Sequence, residues 1–118
     1  MHSATFIDHF QHPRNTGTLE APDATGQAGS PEEGGQVALQ LQLRGEVIAA
    51  ARFQTFGCGY AIAACSALTE WITGKSRAEA RQLEARALAE LLGGVPDDKF
   101  FCVELAVKAL QHALASLP

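Results

Sequence analysis

The plainest signal along the chain is strict alternation. In Gln36-Val37-Ala38-Leu39-Gln40-Leu41-Gln42-Leu43 the apolar side chains Val37, Leu39, Leu41 and Leu43 alternate with small or polar ones, the period of a strand with one buried face. Arg44-Gly45 supplies a turn, and Val47, Ala49, Ala51, Phe53 and Thr55 continue the period of two, which predicts an antiparallel hairpin with one wet face. After Phe56-Gly57-Cys58-Gly59 the spacing turns helical. Ala61, Cys65, Leu68 and Ile72 fall on one stripe, and Gly74 is placed to end that helix. At the start of the chain, Ser3 caps a short helix that carries Phe6, Ile7 and Phe10 on one face and stops at Pro13.

Between Asn15 and Gly35 lie five of the eleven glycines and two of the five prolines, the composition of a loop with room for one irregular edge strand. Downstream, Ser76-Arg77-Ala78-Glu79 is a capping box that starts another helix. Short helical turns run on to Leu92, where Gly93-Gly94 stops them. Pro96-Asp97-Asp98 opens the last helix, with Val103, Val107, Leu110, Leu114 and Leu117 as its core stripe. Helix, strands, then helices predict one α+β domain over residues 1–118, with a small antiparallel sheet packed against helices.

A chain of 118 residues, 47% apolar and 19% charged, can bury a core without staples. Its formal net charge is −4 and only three of nine basic residues are Lys, which argues against nucleic acid as a partner. Apolar stretches break well short of the ~20 residues that span a bilayer, and Met1-His2-Ser3-Ala4-Thr5 lacks a basic region leading into an apolar one. Three widely spaced cysteines, an odd number, do not form a disulfide framework. A soluble protein of the reducing cytosol, away from membranes and with free thiols, is expected.

Cys58 sits between two glycines where the hairpin gives way to a helix, and Cys102 falls near the start of the final helix. Helix N-termini favour thiolates, the form that binds metal or accepts sulfur. The competing reading is that both are small buried hydrophobes, since free cysteine is often buried. Cys65, mid-helix on an apolar stripe, is expected to pack in the core. His9 and His12 stand at near i,i+3 spacing, but Pro13 breaks the helix there, so a solvated pair is expected. On spacing alone, Glu32-Glu33 reads as an ordinary acidic turn.

Two segments change these odds. Phe6-Ile7-Asp8-His9-Phe10-Gln11-His12-Pro13-Arg14-Asn15 resembles the opening of the U-type iron–sulfur cluster assembly scaffolds (IscU, SufU and the N-terminal domain of NifU). Ala51-Arg52-Phe53-Gln54-Thr55-Phe56-Gly57-Cys58-Gly59-Tyr60-Ala61-Ile62-Ala63 is similar to their second-cysteine motif, and Ser66-Ala67-Leu68-Thr69-Glu70-Trp71 and Gly74-Lys75-Ser76 continue the match. Cys102 stands where their third cysteine does.

The resemblance implies a fold of about three antiparallel strands covered by helices, and a scaffold or carrier role, not that of a turnover enzyme. It implies a transient [2Fe–2S] cluster, or a single Fe or Zn ion, as cargo. The implied partners are a cysteine desulfurase and iron–sulfur acceptor proteins. Cys58 and Cys102 are then ligands or sulfur acceptors.

The ligand set is incomplete. Gly29-Ser30-Pro31-Glu32-Glu33-Gly34-Gly35 places Glu33 at the family's first cysteine, as an oxygen donor, and Gly35 at its aspartate. Phe101 occupies the histidine position before the third cysteine. The chaperone-recognition segment Leu-Pro-Pro-Val-Lys is eroded to Val95-Pro96-Asp97-Asp98-Lys99, so handling by an Hsp70-type chaperone is not expected. Two alternatives stay open beside the scaffold: a SufE-like persulfide acceptor, and a non-catalytic module that binds and regulates the desulfurase.

Overall fold

The computed structural model describes residues 2–118, and the fold follows from how each segment meets the helix that its neighbours build. Helix α1, Ala4–Gln11, starts where Ser3 Oγ accepts the Phe6 N–H at 2.9 Å. The same hydroxyl donates to the Leu92 carbonyl, tying the start of α1 to a distant turn. Only Phe6 of the expected apolar face is buried. Its partner inside is His9, one helical turn on, while Ile7 and Phe10 remain 40% and 46% exposed.

Strands β1 (Ala24–Ser30), β2 (Gly35–Arg44) and β3 (Val47–Phe56) form an antiparallel sheet in that order. The glycine-rich segment expected to be mostly loop thus holds a regular seven-residue strand, paired from Ala24↔Leu41 to Ser30↔Gly35. Its glycines serve packing. A Cβ on Gly26 would lie 2.1 Å from the Ala109 carbonyl oxygen, so the last helix can rest on this strand only because the side chain is absent.

In β2 the alternation holds, with Val37, Leu39 and Leu41 buried. In β3 it holds only from Ala51 onward. Gln42 pairs with Ala50 but Leu43 pairs with Ile48, a bulge that leaves Ala49 over. Past it the inward face passes to Ile48, while Val47 and Ala49, expected inside, are exposed. The outer edge of β3 is covered by backbone from two loops. Asn15 and Gly17 bond to Phe53 at 2.9 and 2.8 Å, and Gly74 and Lys75 bond to Ile48 at 2.8 and 2.9 Å.

Helix α2, Gly59–Ile72, is buried nearly all round, not along one stripe, because β3, α1 and the last helix all pack against it. The short helices α3 (Arg77–Arg81) and α4 (Ala85–Leu91) follow, the first capped by Ser76 accepting the Glu79 N–H at 3.1 Å. Asp97–Lys99 forms a 3-10 turn that leads into α5, Phe100–Ala115. Val103, Val107, Leu110 and Leu114 are buried as expected, against β1 and β2, and Leu117 is half-buried beyond the helix end. One face of the sheet is therefore covered by α2 and α5, and the other carries Gln27, Gln36, Gln40, Gln42 and Gln54. The architecture is α+β. Among the described residues no helix is long and apolar enough to cross a membrane.

Candidate functional site

The first turns of α2 and α5 meet at two sulfurs. Cys58 is the N-cap of α2, with extended backbone (φ −85°, ψ 177°), and Cys102 is the third residue of α5. Their Sγ atoms lie 3.4 Å apart although 44 positions separate them in sequence. Cys58 is half-buried, whereas Cys102 is only 1% exposed. The two readings of these cysteines thus divide between them: Cys58 is open, and Cys102 is buried behind it.

Their surroundings pull the two thiols in opposite directions. Burial works against a Cys58 thiolate, but the hydrogen bond from Cys102, the N–H groups of Ala61 and Tyr60 and the charge of Lys99 outweigh it. The Cys58 pKa therefore lies below the ordinary thiol value. Burial first, then the hydrogen bond and charge of Cys58, push the Cys102 thiol up. Within the pair a thiolate is therefore favoured on Cys58 over Cys102. Cys65 is 1% exposed inside α2, and burial pushes its thiol up, as expected for a core residue.

Cys58 opens into a pocket of 470 Å³ walled by Phe6, Ile7, Phe10, Tyr60 and Lys99. The rings of Phe6 and Tyr60 are 4.4 Å apart at their centroids, and Phe10 packs against Gly59, where a Cβ would be 2.8 Å from its ring. The exposure of Ile7 and Phe10 thus has a reason: they line the approach to the thiol.

Glu33 does not join the two sulfurs. It lies exposed in the 3-10 turn Pro31–Glu33, which Gly34 reverses into β2 with φ +91°, and it faces Phe101, Glu104, Leu105 and Lys108 across a separate 360 Å³ pocket. Among the described residues no three of His, Cys, Asp and Glu are grouped to hold a metal ion. The three-donor set implied by the resemblance is not assembled here. Gly35, at the family's aspartate position, is buried, and a Cβ there would meet Leu105 at 3.3 Å and Phe101 at 4.0 Å. Positions 35 and 101, where the resemblance implies departures from the family pattern, are thus neighbours in space.

Sequence reasoning missed a second polar cluster. His9, expected to be solvated, is 6% exposed, and its Nδ1 lies 2.7 Å from Ser66 Oγ. Ser66 Oγ accepts the Arg14 backbone N–H at 2.9 Å, which leaves its hydrogen for His9. Arg14 in turn pairs with Asp8 at 2.6 Å and Glu70 at 3.5 Å, and Asn15 donates to Thr69 at 3.2 Å. Burial lowers the pKa of His9, and the Arg14 bond holds Asp8 below the usual carboxylate range. The signal was present: two segments that carry the resemblance, 6–15 and 66–71, meet at this clamp.

Residues 1–118 match the NifU-like N-terminal domain family. The chain belongs to that family. It is 41% identical over 114 residues to an iron–sulfur cluster assembly scaffold protein IscU of Archaeoglobus fulgidus, covering 97% of this chain and 74% of that one. To the IscU scaffold of Escherichia coli K12 it is 40% identical over 118 residues, covering 97% and 91%. The solved N-terminal domain of a NifU-like protein from Brucella abortus superposes with a TM-score of 0.77 at 19% identity, over 96% of this chain and 91% of that chain. At that identity the likeness establishes the NifU-like fold.

Proposed function

We propose that this NifU-like chain acts in iron–sulfur cluster assembly as a divergent scaffold whose working groups are Cys58 and Cys102. The observation that carries this reading is the thiol pair itself: two sulfurs 3.4 Å apart, one of them opening into a pocket. Its relatives are named scaffold proteins, not enzymes, which supports a carrier role and gives no support to the SufE-like alternative. The partners are a cysteine desulfurase as sulfur donor and iron–sulfur proteins as acceptors. The work belongs in the reducing cytosol, where both thiols stay free.

The iron half of the task fits these residues poorly. A [2Fe–2S] cluster is ordinarily held by four thiolates, and a single Fe or Zn ion needs more than two protein donors. Two thiols hold such cargo weakly, and Glu33 becomes a third donor only if its turn swings toward them. Sulfur acceptance needs one accessible thiol and is the better-equipped half.

Anaerobic reconstitution with iron and sulfide tests the ligand account. The wild type should show little or no visible cluster absorption. Glu33→Cys combined with Phe101→His adds a thiolate and an imidazole, and its gain of iron and colour requires the Pro31–Glu33 turn to swing toward Cys58 and Cys102. A wild type that holds a stable cluster as well as this double variant would contradict the reading.

A further inference from the structure

The two thiols differ in access but touch each other. A donor entering the 470 Å³ pocket reaches Cys58 and cannot reach Cys102, which is 1% exposed and lies directly behind it. From 3.4 Å, the sulfurs need to approach by only about 1.4 Å to reach the ~2.05 Å of a disulfide. Such an outer thiol backed by an inner one is the arrangement of dithiols that exchange in two steps, one sulfur receiving and the other resolving.

We propose that Cys58 and Cys102 reduce sulfane sulfur to sulfide, Cys58 receiving the outer sulfur of a persulfide and Cys102 displacing it. In the first step R–S–SH and the Cys58 thiol give R–SH and Cys58–S–SH. In the second, Cys102 sulfur attacks Cys58 Sγ: the Cys58–sulfane bond breaks, the Cys58–Cys102 bond forms, and H2S leaves with the two hydrogens. The sulfane sulfur gains two electrons, and each cysteine sulfur loses one. The resulting disulfide returns to two thiols by exchange with a dithiol reductant. Lys99 on the pocket wall favours an anionic persulfide, and Phe6, Phe10 and Tyr60 give the pocket an aromatic wall beside Cys58. The inference rests on the sulfur-acceptor reading above and explains what a chain with two thiols contributes without a full ligand set. It delivers sulfur at the oxidation level that a cluster contains.

The test uses the anaerobic protein, glutathione persulfide as donor, rapid desalting, and no added thiol. Trapped sulfide and the state of each cysteine are then measured by peptide mass. The wild type is expected to release about one sulfide per Cys58–Cys102 disulfide formed. Cys102→Ser is expected to keep the persulfide on Cys58, with sulfide release at least about tenfold slower. A wild type that keeps a stable Cys58 persulfide beside a free Cys102 thiol overturns this inference and leaves the acceptor reading standing. A wild type that takes no sulfur at Cys58 overturns both. The wild-type disulfide map decides the matter even if the Cys102 variant fails to fold.

Discussion

Cys58 and Cys102 share a hydrogen bond yet answer to opposite forces, and the difference is measurable one residue at a time. Helix position alone places both near N-termini and makes both reactive. The structure separates them, because Cys102 lies under the surface while Cys58 receives the N–H groups of Ala61 and Tyr60. Native alkylation followed by peptide mapping should therefore label Cys58 well before Cys102 and Cys65. The Cys58 rate should reach half its maximum at a lower pH than that of an ordinary free thiol, since its surroundings favour the thiolate. Equal rates at Cys58 and Cys102 would contradict the asymmetry.

His9 gives the second prediction at this scale. Its folded pKa is lowered, so the unfolded chain binds the extra proton first and acid favours unfolding. The stability His9 contributes is full above its unfolded value of ~6.5 and falls away as the pH drops below it. Denaturant midpoints between pH 8 and 5 should show this loss, and His9→Gln should flatten it. Ser66→Ala should cost about 1–3 kcal/mol, because it leaves the Arg14 N–H and His9 Nδ1 without their shared partner.

Among the elements, β2 was legible because alternation and burial agree residue by residue. Leu41→Asp, at a site with no exposure, should cost more than about 3 kcal/mol, and Gln40→Asp, half-buried on the opposite face, far less. Equal losses in chemical denaturation would mean that the inward face is misassigned. β1 was legible only as room for an irregular edge strand, because Gly26 and Gly29 look like loop residues in sequence and their role emerges only when α5 lies against them. Gly26→Ala should destabilise by about 1–3 kcal/mol or more, since its Cβ would collide with backbone that cannot rotate away. The first half of β3 was read on the wrong face for a different reason. A bulge shifts parity by one, and no local residue announces it. Helix α2 read as one stripe because alanines on its other faces carry little periodic signal, though they are buried too.

At the scale of the molecule, the segments that carried the resemblance prove to be contacts. Asp8, His9, Arg14 and Asn15 lock α1 and its loop to Ser66, Thr69 and Glu70 of α2, and Phe10 covers Gly59 beside the thiol. Cys58 stood out by its place between glycines at a strand–helix junction, and Cys102 chiefly by the resemblance. That the two sulfurs touch was not legible, since 44 residues of chain separate them and only the packing of α2 against α5 joins their N-termini. Glu33 illustrates the converse. The resemblance implies a ligand at this position, but a turn ending in a left-handed glycine holds Glu33 at a separate pocket. The Cys58 pocket is thus assembled, while among the described residues no group of three metal-binding side chains forms.

In the proposed reaction sulfur enters this protein at Cys58. Incubation with a cysteine desulfurase and free cysteine under anaerobic conditions, followed by mass mapping of every cysteine-containing peptide, tests it directly. The wild type should carry one added sulfur on Cys58, or a Cys58–Cys102 disulfide with released sulfide, and Cys58→Ala should show neither. Sulfur appearing to the same extent in Cys58→Ala, or on no cysteine of the wild type, would contradict the account.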